Sequence, residues 1–453
     1  MITRLFLIVA LMAAIPAWPQ SETSASSPSS GADDGLQMRI PPSVSVEGYP
    51  TNPVSEQRSN YLSTGLIVST GFNSNVLAGA SSTPVSDASY TIWPTITLDQ
   101  TTPRAHRSLT YSPGMTFYQP TSSLNEVDHN ADLDFQFRLR KYTSIVITDS
   151  LQKSSNVLNQ ADPLAGTSAS GSQQGLPIQL IPAIANRLSN TTDVGFACQF
   201  GRNDMVGIGG TASELIFFNA KQTPGFYNAI SRGGSGFLSH RLSESQYFGA
   251  SYQDLWTTST PVDASTSSAH LELDTQTQGV LLFYTVSLGG KVSASLAVGP
   301  QHFDAAARPG STTYGSWTVS SLASADWMGS RAVVSGYYMR TVTGGIGVLG
   351  AFESNSANAS VRWMFAKSWN IGSTAAYAKS QNLAPQLPSS VPGGHTLQGS
   401  LTIQHELGQH LKAELGYAHL HQVYSGVAVI AAAPDSDRVY GSITYQFTRP
   451  LGR

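Results

Sequence analysis

Residues 127–140 read VDHNADLDFQFRLR, and their alternation decides the fold. Val127, Ala131, Leu133, Phe135, Phe137 and Leu139 take one parity, which only His129 breaks. Asp128, Asn130, Asp132, Asp134, Gln136, Arg138 and Arg140 take the other. Successive side chains of a strand point to opposite faces, so the segment predicts a two-faced strand, one side against lipid or a core and the other against water. The period of two returns along the chain. Leu397, Gly399, Leu401 and Ile403 alternate with Gln398, Ser400, Thr402 and Gln404. Val439, Gly441, Ile443, Tyr445 and Phe447 alternate with Tyr440, Ser442, Thr444 and Gln446. Residues 109–117 follow suit, as do residues 269–283, where His270, Glu272, Asp274, Gln276 and Gln278 form the polar parity.

The connections carry the second half of the case. Tight turns fall at Lys141 and Tyr142, at 202–204, at 243–245, at Gly289 and Gly290, at Gly329 and Ser330, at Lys367 and Ser368, and at Gly408 and Gln409. Between them lie longer polar stretches, among them 79–88, 120–126, 155–187, 219–229, 258–268, 305–313, 343–350, 381–394 and 425–437. Outer-membrane barrels alternate short periplasmic turns with longer external loops. Counting from a first strand at 61–75, the pattern predicts an all-β, transmembrane, antiparallel up-and-down barrel of about eighteen strands, with sixteen as the alternative. A barrel of that size has a lumen too wide for side chains alone to fill, so an aqueous channel is the default unless a loop folds inward. The longest loop, 155–187, is the expected constriction.

Composition agrees. Charged residues make up 12% of the 453, about half the roughly 25% usual in soluble domains. After the first twenty positions no apolar run is long enough for a spanning helix, which leaves strands as the spanning element. The net charge of −3 and the absence of a basic stripe argue against a nucleic-acid partner. A single cysteine, Cys198, rules out an intramolecular disulfide. A soluble sandwich or propeller would alternate too. Here, however, aromatics gather at strand ends, as with Tyr90 and Trp93, Trp363 and Trp369, and Tyr445 and Phe447, in the manner of interfacial girdles.

Arg4, the apolar stretch 5–15 and small Ala17 read as a secretory signal covering residues 1–20. Residues 21–60, rich in Ser, Pro and Gly, read as a flexible periplasmic leader, and 61–453 as the barrel. The implied location is the outer membrane after signal cleavage.

Two motifs imitate enzymes. Residues 404–410, QHELGQH, resemble a zinc-protease helix, but His405 and His410 are five apart and diverge on a helix, so the period-two context makes this a hairpin. His419 and His421 share a parity on the next strand, where lumen or interface histidines are the plainer reading. Gly345, Gly347 and Gly350 fit a dinucleotide fingerprint in spacing, but the Asn- and Ser-rich stretch that follows is no helix. No catalytic residue, metal or cofactor is expected. The expected lumen lining is Asp128, Asp132, Asp134, Arg138, Arg140, Glu272, Asp274, Lys412 and Glu414, whose charges would bias solute entry.

The element Gly71, Phe72, Asn73, Ser74, Asn75, Val76 is similar to one near the start of a group of mostly uncharacterised β-barrel porins of Gram-negative bacteria, especially acidobacterial ones, some linked to exopolysaccharide export loci. The last strand, 443–447, with the tail Thr448, Arg449, Pro450, Leu451, Gly452, Arg453, resembles the ends of the acidobacterial members. The resemblance covers roughly Tyr61 to the C-terminus and implies a membrane barrel inserted by the barrel-assembly machinery, with Phe447 as the recognised end and the last six residues as an extension. The expected function is a pore for passive or weakly selective passage of small hydrophilic solutes. The alternatives are an accessory barrel for exopolysaccharide export and a structural or adhesive surface barrel. Expected partners are outer-membrane lipid, the assembly machinery, and polysaccharide or small solutes.

Overall fold

The computed structural model describes residues 60–77, 83–154, 186–218, 225–262, 272–308, 313–344, 347, 349–383, 393–425 and 435–450. The expected signal peptide, the leader up to residue 59 and the greater part of the expected constriction loop lie outside them.

The strands run in chain order as β1 Asn60–Asn73, β2 Asp87–Thr101, β3 Ala105–Tyr118, β4 Glu126–Arg140, β5 Thr143–Ser154 and β6 Arg187–Gln199. There follow β7 Asp204–Phe217, β8 Tyr227–Ser243, β9 Gln246–Pro261, β10 Glu272–Leu288, β11 Val292–Arg308 and β12 Thr313–Met328. The last six are β13 Ala332–Gly344, β14 Ala351–Ala366, β15 Trp369–Asn382, β16 Gly393–Glu406, β17 Leu411–Ser425 and β18 Asp435–Pro450. Each is antiparallel to the next, as in β1 with β2, and β18 returns to β1 with Tyr61 opposite Pro450 and Asn73 opposite Arg438. The sheet therefore closes as an 18-stranded barrel with no free edge, the one sheet geometry that satisfies its backbone inside lipid. Among the described residues helical structure is confined to the 3-10 turn Ser122–Leu124.

Connections from even to odd strands span two to four residues, those from odd to even strands from four to 32. The turn 102–104 between β2 and β3 is not among those expected from the sequence. At the β16–β17 hairpin Gly408 takes φ 123°, a conformation that other residues rarely adopt. This places His405 and His410 on either side of a hairpin.

One parity of the strands faces outward and forms an apolar belt: Leu66 and Val68 of β1, Val206 and Ile208 of β7, Val280 and Leu282 of β10, and Leu401 and Ile403 of β16 are all exposed. Such a band is what a barrel standing in lipid presents. Exposed aromatics border it on both sides, Phe72, Tyr90 and Phe117 toward the long connections and Phe248, Trp327, Trp363 and Tyr445 toward the short turns. Trp93 departs from the expected girdle: it points inward, 3% exposed, with its ring over Gly114 of β3. Phe237 over Gly207, Phe283 over Gly249 and Tyr440 over Gly416 repeat the device, in which a glycine leaves a flat space that the neighbouring strand's ring fills.

Two further expectations are corrected. The tail after Phe447 is not all extension, since Thr448, Arg449 and Pro450 continue β18 opposite Ser63, Leu62 and Tyr61, which otherwise lack a partner on that side. The stretch 343–350 is not simply an external loop. Thr343 and Gly344 end β13 inside the barrel, where Val342, Leu349 and Ala351 join Tyr227, Leu273, Phe303, Ala305 and Ala307 in a buried cluster. There the backbone N–H of Tyr227 donates to the Gly347 carbonyl at 2.9 Å.

Candidate functional site

The inner wall of β2–β6 gathers acids into a band. Cα register sets Asp99 of β2 opposite Ser108 of β3, Ser108 opposite Asp134 of β4, Asp134 opposite Thr148 of β5, and Thr148 opposite Asp193 of β6. Neighbouring strands lie about 4.8 Å apart, so successive acids of this row stand roughly 10 Å from one another. Asp132 occupies the adjacent row between Thr110 and Ser150, and the Ser150 hydroxyl donates to its Oδ1 at 2.8 Å. The outer parity of the same strands carries Ile96, Leu133 and Val194, which fixes the carboxylates inside. His106, next to the row at the short-turn side, holds its Nδ1 3.0 Å from the Thr101 hydroxyl.

The remaining sequence candidates scatter. Asp128 is buried at the long-connection end of β4, where its charge acts on Arg187, itself buried, across Ser154. Arg138 faces inward opposite Ser144 near the short turns, while a bulge after it puts Arg140 opposite Thr143 and out of strict alternation, exposed at the rim. Lys412 and Glu414 lie on the inner parity of β17, Glu414 lining a niche with Arg362, Asn370, Gly372, Thr402 and Gln404.

Glu272 and Asp274 do not face the lumen. Val280 and Leu282, of their parity on β10, are exposed in the belt, and the opposite parity, Leu273 and Thr275, is buried inside. Asp274 instead pairs with Arg308 and accepts from the Thr258 hydroxyl at 2.8 Å on the outer surface. The inversion has a physical cause: beside the long connections the outer face carries charges, and the inner face is apolar because β13 packs against it.

Asp99, Asp193 and Arg187 were missed by sequence reasoning. Parity could have found the two acids, since Asp99 follows outward Ile96 and Leu98 and Asp193 precedes outward Val194 and Phe196. The histidines sit elsewhere. His405 stacks on Trp369 with ring centroids 4.1 Å apart. His419 and His421 contact Asp437 and Asp435 at 2.9 and 2.7 Å on the outer parity of β17 and β18. Among the described residues no three His, Cys, Asp or Glu side chains come together as a metal-holding group.

No protein-family model matches the sequence, and no curated protein matches it. Among solved structures, the FrpB iron transporter from Neisseria meningitidis (F3-3 variant) is 11% identical with a TM-score of 0.39, over 80% of this chain and 62% of its own. The chain thus spans less than two thirds of that transporter's length. Pseudomonas aeruginosa OccK2 (OpdF) is 9% identical with a TM-score of 0.42, over 87% of this chain and 100% of its own. Acinetobacter baumannii OccAB4 is 10% identical with a TM-score of 0.38, over 88% and 100%. At such scores these likenesses carry no argument about solute or mechanism.

Proposed function

We propose that the chain is an outer-membrane channel for small hydrophilic solutes, with a preference for cations. The observation that carries this reading is the inward acidic band, Asp99, Asp132, Asp134 and Asp193, inside a closed barrel whose outer belt is apolar. Inside a low-dielectric wall, carboxylates of one sign focus the field and raise the local concentration of counter-ions. No covalent chemistry is required: the residues attract and orient solutes, and the wall supplies the route. In this reading the partners are outer-membrane lipid and the barrel-assembly machinery.

The test is the purified full chain in planar lipid bilayers under a salt gradient, together with liposome swelling in uncharged sugars. Steady conductance, a reversal potential of the sign for cation preference and swelling with the smallest sugars are expected. Bilayers that stay electrically silent and liposomes that do not swell would overturn the proposal.

A further inference from the structure

β12 and β13 are paired over only part of their length. Ser321–Met328 lies opposite Val333–Arg340, yet β12 begins at Thr313 and β13 runs on to Gly344. Beyond Arg340, β13 leaves the wall while keeping its register with β14 up to Gly344 opposite Ala351. Its departing end is held from inside by a side chain of β11. Gln301 Nε2 donates to the Val342 carbonyl at 3.1 Å, and Gln301 Oε1 accepts from the Val342 N–H at 2.9 Å. The Thr341 hydroxyl donates to the same Oε1 at 3.2 Å. One side-chain amide thus imitates the neighbouring strand that β12 would have supplied.

The sequence of β13 nevertheless suits the wall. Continuing the register past Ser321 and Arg340 would set Thr341 beside Ser320, Val342 beside Val319 and Thr343 beside Thr318. Val342 would then join Tyr338 and Arg340 on the outer parity next to exposed Val319, and both threonines would face the lumen with polar neighbours. The same residues therefore have two sets of partners, the β12 backbone or the Gln301 amide with its apolar cluster. The open seam is spanned by side-chain bonds: the Ser320 hydroxyl donates to the Arg340 carbonyl at 3.0 Å, and Glu353 Oε2 accepts from the Thr318 hydroxyl at 3.1 Å and from Arg340 at 2.9 Å. The β12 backbone from Thr313 to Ser320, which has no β13 ladder partner, favours re-pairing, and burial of Val342 among Leu273, Phe303 and Leu349 favours the docked state.

We propose that Thr341–Gly344 is a two-position element of the wall: docked on Gln301 it narrows the lumen beside β9–β11, and zipped onto β12 it withdraws and widens it. The effect on conductance rests on the channel reading above; the movement itself does not. Thr343, 7% exposed when docked, would meet lumen water when zipped.

The experiment uses the full chain with Cys198→Ser and Thr343→Cys in detergent micelles, exposed to a charged maleimide. Gln301→Leu removes all three hydrogen bonds at similar volume and should speed alkylation about tenfold. Gln301→Glu, which keeps the acceptor and loses the donor, should fall between, with far-UV circular dichroism confirming the barrel in each. Equal rates in the three folded proteins would overturn the switch. A lock supplies the second arm. A Cβ at Gly344 lies 2.8 Å from the Thr275 Cβ, so Thr275→Cys with Gly344→Cys is within reach of a disulfide after a small shift. The oxidised pair should conduct less than the reduced pair, and equal conductance would count against the switch. Silence in both states would instead overturn the channel reading, leaving alkylation to decide the movement.

Discussion

Asp134 and Asp193 stand two strands apart in one lateral row of the inner wall, both opposite Thr148. Their separation of roughly 10 Å lets one mobile cation feel both. Replacing Asp132, Asp134 and Asp193 together by Asn should move the reversal potential toward zero while the barrel still assembles. A cation preference equal to that of the wild type would show that the row does not set it.

Asp274 tests the assignment of faces. Its pair with Arg308 is on the outer surface, where such bridges contribute about 0–1 kcal/mol. Asp274→Asn should leave both the reversal potential and the thermal midpoint nearly unchanged. A selectivity shift as large as that of the triple variant would return Asp274 to the lumen.

Leu282 lies in the middle of the outer belt, 53% exposed. Arginine at a lipid-facing mid-belt position costs roughly 2–4 kcal/mol. Leu282→Arg should lower the urea midpoint of folding into lipid vesicles by a corresponding amount, whereas a neutral outcome would place that level of β10 in water.

Gly249 has no room for a side chain. A Cβ there would lie 2.2 Å from the Leu238 carbonyl oxygen and 2.3 Å from the Phe283 ring. Gly249→Val should destabilise the barrel by about 1–3 kcal/mol through overpacking. Gly195, with nothing within 4 Å of a Cβ, is the matched control and should tolerate Ala.

The end of the chain gives a graded prediction. Removing residues 451–453 spares every ladder pair of β18, while removing 448–453 strips the partners of Tyr61, Leu62 and Ser63. The shorter truncation should assemble like the full chain, and the longer one should fold into vesicles more slowly or in lower yield. Equal yields would mean that Phe447 suffices as the terminus.

The barrel was legible in sequence because its two signals are local. Alternation in 127–140 or 439–447 follows from the pleat, and the rhythm of connections follows from topology. Alternation separates two faces without labelling them. In the belt the label comes free, because lipid demands the apolar face, which sets Asp132 and Asp134 inward. Beside the long connections it does not: Glu272 and Asp274 face outward, and Leu273 packs against an element 69 residues away in sequence. Trp93 was misplaced for a related reason, since its inward position depends on Gly114 of the next strand offering it a flat site. The departure of β13 was illegible because its residues carry the alternation of a wall strand, and only the distant Gln301 competes for their backbone.

The ladder between β1 and β18 joins residues such as Ser63 and Thr448, 385 positions apart in sequence. During synthesis the first strand is therefore made long before its second neighbour exists, and both flanks of the nascent sheet stay sticky until the last segment arrives. Only β18 removes both edges at once, so closing this ring is an all-or-nothing event that cannot begin until the last strand is made.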